Sequence, residues 1–450
     1  MLRTGARIGA SPMGRRGFLR SLGATVGAAG ILGPFEFARA AVEPGITITD
    51  MYRTQLSVGG VIVRLDTNKG ISGYGECRSE DSYSAIDLGY LKSAVMGLNP
   101  TQVDKVFDAT NAAILPYYDP HGATAMGQIP RRTGALCGIE TACWDIAGKV
   151  HNVPIWKLIG PKLRDKIRLY CDTDQKSVAT LPPAVQKRLD LGFTWFKADM
   201  YLTQLCTSNT DYTLQTEPGY PYQCYTIKDS GFTKLANYAA AYRSMIGTYP
   251  LSSDHYEGWA SSNNLDIPSA VQLANLMSGS SYQGIYGGWM EDIIQWWYPD
   301  QLAQVAAQTS MPVLTGEDMY GMKELVPFVD RGAIDYFHPD QATFGGIHQP
   351  RLAAMYAHSK GVRTALHCSG GPFSFVASLH VAAGIPDFLA QEYHHLDDTA
   401  NSWFDSVVDG IEKPLINFGY ADVPHGPGLG ITPNNAAMSA HGASGWTRVT

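Results

Sequence analysis

The sequence predicts an α/β protein: a (β/α)8-type barrel with an N-terminal α+β capping domain that the C-terminal segment completes. Three observations lead there. The chain has 450 residues, 45% of them hydrophobic, which is too long for one ordinary domain but suits a barrel plus a cap. After Pro161, short apolar runs alternate with helical stretches, the signature of βα units around a parallel sheet. Eight such runs can be counted: IRLYC, WFKAD, YPLSSD, YGGWME, PVLTGE, AIDYFHPD, RTALH and FLAQE. Eight strands close a barrel.

Residues 1–40 read as an address rather than as structure. Arg15-Arg16-Gly17-Phe18-Leu19-Arg20 precedes a mild apolar stretch, residues 22–32, which ends near Ala38-Arg39-Ala40, a small-x-small cleavage signal. We expect a twin-arginine signal peptide cleaved after Ala40 and a periplasmic protein exported already folded, with its metal acquired first. Residues 41–160 form the expected cap. ITITDMYRTQL, VIVRLDT, a turn at Asn68-Lys69-Gly70 and SGYGEC read as a hairpin-type antiparallel sheet. Residues 83–150 are helical in character and close with GIETACWDIAGKV, where Ile139, Ala142, Cys143 and Ile146 share one face. The barrel is expected over residues 161–395, and residues 396–450 return to the cap.

Between the second and third strands there is room for an insert at residues 200–232, rich in Tyr, Thr, Asp and Gly. It has no helical or strand period, and long loops at a barrel's catalytic face are usually lids or specificity elements. Together with the cap loop at residues 74–84 it is where specificity should lie. Seven cysteines cannot all pair, and none sits in a CxxC. Cys206 and Cys224 bracket part of the insert, and both a loop-stapling disulfide and two free thiols are open.

The net charge of -7 comes without a basic block, so the footprint of a nucleic-acid binder is missing. Beyond the N-terminus no apolar run approaches the roughly 18 to 20 residues a membrane span needs. The expected partners are a small-molecule carboxylate substrate, the twin-arginine export machinery and further copies of the chain in a homo-oligomer, with no nucleic acid and no membrane in the mature form.

Polar residues close the eight strands. Lys197 and Asp199 end the second, Asp254 the third, Glu291 the fourth, Glu317 the fifth, Asp340 the sixth, His367 the seventh and Glu392 the eighth. In a barrel these positions converge on the C-terminal mouth. Asp254, Glu291 and Glu317 offer the oxygen-rich ligation that Mg²⁺ prefers, one ion per site; a single strand-end acid would more often cap a helix. Asp340 and His367 should be neighbours, and a carboxylate beside an imidazole fixes its tautomer and raises its basicity, as a general base requires. His255, His338, His380, His394 and His395 read as structural. Lys197 is open as a second base, an acid or a charge holding the substrate carboxylate, and Asp199 as its partner. Glu392, as a protonated acid, would hydrogen-bond the substrate carboxylate.

These residues resemble a known family. The cap with GYGE, the helix IETACWDIAGK followed by P-x-W-K-L-I-G, the acids in SSDHYEG, WMEDI and LTGED, then PDQATFGGI, ALH, QEY and HGPGLGI look like the enolase superfamily, and the Asp340 and His367 pair is similar to its mandelate racemase branch. The resemblance covers roughly residues 46–431. It implies Asp254, Glu291 and Glu317 as Mg²⁺ ligands, Asp340 and His367 as the base dyad, Glu392 as the carboxylate-polarising acid, and removal of an α-proton from a carboxylate whose enediolate Mg²⁺ stabilises. The branch often carries Lys-x-Lys on the second strand; here it is Lys197-Ala198-Asp199, which removes the usual opposite-face base and disfavours racemisation. Tyr256 stands where several sugar-acid dehydratases have a catalytic histidine, with His255, a candidate substrate contact, beside it, so the leaving-group acid is open. The expected reaction is dehydration of a polyhydroxy acid, an aldonate or uronate-derived acid, to a 2-keto-3-deoxy product, with His367 taking the C2 proton. An epimerase or cycloisomerase, and a non-catalytic periplasmic sugar-acid binding protein, are the rivals.

Overall fold

The computed structural model describes residues 43–56, 60–78, 84–114, 129–215, 223–256, 263–278, 288–294 and 296–450. The expected signal peptide, its cleavage point and the cap-loop residues 79–83 lie outside these. In the cap, β1 (Ile48–Gln55) runs antiparallel to β2 (Val61–Thr67), and β2 to β3 (Ser72–Glu76). The turn between β2 and β3 uses Gly70 at φ 70°, a left-handed conformation open to glycine. Helices α1 (Ser84–Val95), α2 (Val103–Ile114) and α3 (Ile129–His151) complete it. The two glycines of GYGE have a steric reason: a Cβ on Gly73 would lie 2.2 Å from the Ala142 carbonyl, and one on Gly75 2.0 Å from that of Gly138. Without side chains there, α3 rests directly on β3. Near the C-terminus, Thr447–Arg448 pairs antiparallel with β1, placing Arg448 opposite Tyr52.

The eight predicted strands form in order: β4 (Lys166–Tyr170), β5 (Phe196–Asp199), β8 (Leu251–Asp254), β10 (Met290–Glu291), β11 (Val313–Thr315), β12 (Tyr336–Phe337), β13 (Arg363–Leu366) and β14 (Phe388–Glu392). Parallel pairing runs from β5 through β8, β10, β11, β12, β13 and β14 to β4. The ring is closed by a parallel bridge from Cys171 to Phe196, with the Lys197 amide donating to the Cys171 carbonyl at 2.8 Å. The first part of β4 pairs instead with an antiparallel strand, Tyr420–Asp422. Tyr170, Trp195, Trp289, Leu314, Ala365 and Ala390 cluster as a buried group inside the ring, so the barrel is filled beneath its mouth.

The insert departs from its expected loop character. It contains a short helix, Leu202–Leu205, and a hairpin of β6 (Tyr212–Gln215) and β7 (Gln223–Ile227), to which β9 (Asn263–Leu265) adds in parallel. The helix Asp229–Ile246 begins inside the predicted range. Thr213, Leu214 and Gln215 are all exposed, so no alternation marks the strand in sequence, and its sheet is completed from far along the chain. The disulfide left open does not form: none of the seven cysteines is joined to another. Cys206 lies 3.9 Å from the Gly231 carbonyl, on a different element from Cys224 in β7. Thiol titration of the unfolded, unreduced chain is therefore expected to find seven thiols; a count of five would mean the bond forms.

Two buried cap carboxylates fasten cap to barrel. Glu76 accepts from the amides of Gly371 (2.6 Å) and Ser374 (3.0 Å), at the start of the helix Pro372–Ala383 that follows the seventh barrel strand. Glu140 accepts from the amides of Ile347 (2.8 Å) and His348 (3.2 Å), where the helix His348–Ser359 begins. Each satisfies amides that a helix leaves unpaired at its first turn. The acids of GYGE and IETACWDIAGK thus act in assembly, holding the cap over the mouth.

Candidate active site

Side chains alternate along a strand, and the register sets which of them enter the mouth together. Asp199 pairs with Asp254, and Asp254 with Glu291, across β5, β8 and β10. Lys197, fully buried, reaches the centre: its Nζ lies 2.7 Å from Glu392 Oε1, 3.0 Å from Glu291 Oε1 and 3.2 Å from Asp254 Oδ2. Burial alone would lower this ammonium's pKa, but Glu291, Glu392 and Asp254 outweigh it and raise it well above the ordinary lysine value. Lys197 is a fixed positive charge.

Around it stand the three predicted acids. Glu291 accepts from Trp289 Nε1 at 3.0 Å and faces His338 Nδ1 at 3.3 Å. Glu317 meets Arg78 Nη2 at 3.3 Å and His367 Nε2 at 3.4 Å. Burial raises the carboxyls of Asp254 and Glu317, and neighbouring negative charge, from Glu291 on the first and from Asp318 and Asp292 on the second, raises them further. Burial acts on Glu291 in the same sense, but His338, Lys197 and Trp289 draw its pKa below the ordinary range. Asp254 and Glu291 share Lys197 and still diverge, because Glu291 has two further donors while Asp254 faces three more acids.

Asp340 and His367 meet as the strand order requires, bridged between β12 and β13, with His367 Nδ1 2.7 Å from Asp340 Oδ2. The other Asp340 oxygen accepts from the Ala342 amide at 2.7 Å, which fixes the carboxylate. Burial lowers the His367 pKa, but Glu392 and Asp340 together raise it above the ordinary imidazole value. His367 Nε2 points inward, 3.4 Å from both Glu317 and Glu392.

Three expectations need correction. Glu392, predicted to be a protonated donor, stands among cations that favour its charged form: burial raises its carboxyl, yet Lys197 and His367 bring it to about 2, and its Oε2 accepts from the Cys368 amide at 3.2 Å. Asp199 does not partner Lys197. It faces Lys176 at 3.3 Å, and burial raises it to about 6. His255 does not face substrate: it follows an inward residue and so turns outward, where it meets Ser253 at 3.0 Å and lines a small cavity with Met200, Leu202, Ile227, Leu235, Leu265 and Leu273. Burial lowers its pKa to about 4. Tyr256 is half-buried, and its amide donates to Asp254 Oδ1 at 2.8 Å.

Sequence reasoning missed three participants. Arg78, buried, crosses from the cap to bond Asp318 at 2.7 Å and Thr343 at 3.2 Å as well as Glu317; no barrel period includes a cap residue. His338, read as structural, lies beside the acids, with its Nε2 2.7 Å from the Tyr170 hydroxyl. Its signal was available, since Tyr336, His338 and Asp340 share one face of an extended strand. His394 pairs with Asp172 at the mouth. The remaining histidines keep structural places, His380 between the Trp156 amide and the Leu429 carbonyl, His395 between Asp398 and the Gly370 carbonyl.

Closed barrel, cap and strand-end acids together define an α/β-barrel enzyme class, and comparison with known proteins agrees. Residues 40–160 match the mandelate racemase / muconate lactonizing enzyme N-terminal domain, and residues 185–437 the enolase C-terminal domain-like family. This chain belongs to the mandelate racemase / muconate lactonizing enzyme family of the enolase superfamily. A D-galactonate dehydratase family member of Musicola paradisiaca (strain Ech703) is 27% identical over 430 residues, spanning 89% of this chain and 96% of that protein. The D-xylonate dehydratase of Haloferax volcanii is 26% identical over 414 residues, spanning 89% and 90%. Among solved structures, a mandelate racemase/muconate lactonizing enzyme-like protein from Rubrobacter xylanophilus superposes with TM-score 0.75 at 23% identity, covering 90% of this chain and 99% of that one. An enolase from Pantoea ananatis with bound D-gluconate and Mg has TM-score 0.71 at 24% identity, covering 90% and 96%.

Proposed function

We propose that this chain is a Mg²⁺-dependent carbon–oxygen lyase that dehydrates an acid sugar, taking the C2 proton of an aldonate and expelling the C3 hydroxyl to give a 2-keto-3-deoxy acid. The observation that carries the reading is the one-sidedness of the base. His367, oriented by Asp340 through Nδ1, turns its Nε2 inward, 3.4 Å from Glu317 and Glu392, whereas Lys197 is a buried ammonium held by three carboxylates. Racemisation needs a base on each face; elimination needs one. The dehydratase names of the curated relatives support the same choice.

The residues present fit a hard divalent cation: Asp254, Glu291 and Glu317 are buried oxygen donors at the ends of neighbouring strands, and the burial and neighbouring negative charge that raise Asp254 and Glu317 are what such a cation offsets. These three would hold Mg²⁺, which when bound supplies positive charge to the substrate carboxylate as negative charge builds there. Lys197 adds a fixed charge from the opposite side, and Arg78 keeps Glu317 in place. His367 takes the C2 proton on Nε2 while Asp340 stabilises the imidazolium through Nδ1. Glu76 and Glu140 latch the cap to the barrel helices that begin at Pro372 and His348.

The test is a panel of D-gluconate, D-galactonate and D-xylonate assayed for 2-keto acid formation. Product is expected from at least one, abolished by EDTA and restored by Mg²⁺. Turnover undiminished in EDTA-treated protein would sink the metal requirement, and solvent deuterium entering recovered substrate with inversion at C2 would point to an epimerase.

We further infer export by the twin-arginine route to the periplasm from Arg15-Arg16 and the apolar stretch that follows. Among the described residues no helix is long and apolar enough to cross a membrane. Cell fractionation is expected to find the protein in the periplasm, and the double change of Arg15 and Arg16 to Lys should retain it in the cytoplasm. A homo-oligomer is the expected assembly.

A further inference from the structure

A second carboxylate and imidazole pair stands at the mouth. Asp172 lies just past β4 and His394 just past β14, and these strands are neighbours in register, Glu392 opposite Tyr170. His394 Nδ1 is 2.6 Å from Asp172 Oδ2. The Asp172 side chain is 4% exposed, and its Oδ1 has no hydrogen-bond partner among the described residues. The His394 side chain is 42% exposed. Ligand atoms of Asp172, Glu392 and His394 all lie within 4.8 Å of one another, and Glu392 also reaches His367 at 3.4 Å. One carboxylate therefore links two imidazoles, each oriented by its own aspartate.

The other histidines of the barrel are committed elsewhere. His338 bonds Tyr170 and faces Glu291, His255 lies in an apolar cavity, and His395 bonds Asp398 and Gly370. The charge of His394 suits a donor: the Asp172 carboxylate beside it raises the imidazole to about 10, so the ring carries two protons at neutral pH.

We propose that His394, oriented by Asp172, is the acid that protonates the departing C3 hydroxyl, a role that rests on the dehydratase reading above. In the step, His367 takes the C2 proton and leaves the electron pair on the substrate. That pair forms the C2=C3 bond as the C3–O bond breaks, and a His394 proton moves to the leaving oxygen, which departs as water. The enol then becomes the 2-keto-3-deoxy acid by taking a proton at C3 and releasing one from its hydroxyl. Asp172 is a positioning residue, since it acts through the imidazole.

The experiment compares His394→Asn and Asp172→Asn with the wild-type enzyme in Mg²⁺, using D-gluconate, D-galactonate, D-xylonate and their 3-deoxy-3-fluoro analogues. Dehydration by His394→Asn should fall by on the order of 10²- to 10⁴-fold, the usual cost of losing a general acid. Exchange of the C2 proton with deuterated solvent should stay within about 10-fold of wild type, because His367 is untouched. Fluoride release should also survive, since fluoride departs without accepting a proton in the same way. Asp172→Asn should show the same split at smaller size. Dehydration at the wild-type rate in His394→Asn, or loss of exchange and fluoride release together with dehydration, overturns the assignment while leaving the dehydratase reading standing. A wild-type enzyme that neither dehydrates nor exchanges any of the three acids sinks that reading and the assignment with it.

Discussion

Replacing His367 by Asn is expected to lower turnover by on the order of 10²- to 10⁴-fold and to abolish exchange of the C2 proton with deuterated solvent. An amide cannot accept the proton that Nε2 takes, and Lys197 is engaged by three carboxylates. Asp340→Asn should be impaired for a related reason, because an amide neither stabilises the imidazolium nor imposes the same tautomer. The pH profile supplies an independent check. His367 acts only when neutral, and Glu392 and Asp340 raise its pKa above the ordinary 6.5, so the rate should fall on the acid side from a pH above that value. Removing the Asp340 charge should move this limb back down. If His367→Asn kept exchange while Lys197→Met eliminated it, the base would be Lys197.

Lys197→Met should have a different and comparably large effect, on stability first. Methionine would leave Asp254, Glu291 and Glu392 buried without the cation they share. Breaking a buried ion pair by removing one partner costs about 3–5 kcal/mol, and the Lys197 side chain is 3% exposed, so solvent screening gives little relief. Urea unfolding in EDTA is expected to show a loss of that order, with Mg²⁺ restoring part of it by supplying positive charge near the same acids. Substrate should bind more weakly, while some C2 exchange remains at saturation through His367. Equal stability of variant and wild type in EDTA would mean the three acids are not ionised together.

Much of the site was legible because barrel geometry converts sequence spacing into position. Acids and a histidine at the ends of consecutive strands must converge, and Asp254, Glu291, Glu317, Asp340, His367 and Glu392 all reach the mouth. What spacing could not reveal was direction and company. His255 sits next to an inward residue in sequence and, by strand alternation, faces the opposite way. Arg78 belongs to the cap and enters the acid cluster only because GYGE lets α3 and β3 pack tightly and Glu76 fastens that strand's end to the barrel. Asp199 finds Lys176 rather than Lys197 because the latter is drawn to stronger company across the barrel.

The sequence by itself therefore determined the eight-strand order, the cap, and which polar residues close each strand, because these follow from local hydrophobic period and from chain spacing. Only the tertiary structure decided the cations set around Glu392, the clamping of Lys197 among three acids, the pairing of Asp172 with His394 and the lack of a bond between Cys206 and Cys224. Each of these depends on distances between groups far apart in the chain and on burial that strips them of water, and neither quantity is written in local sequence.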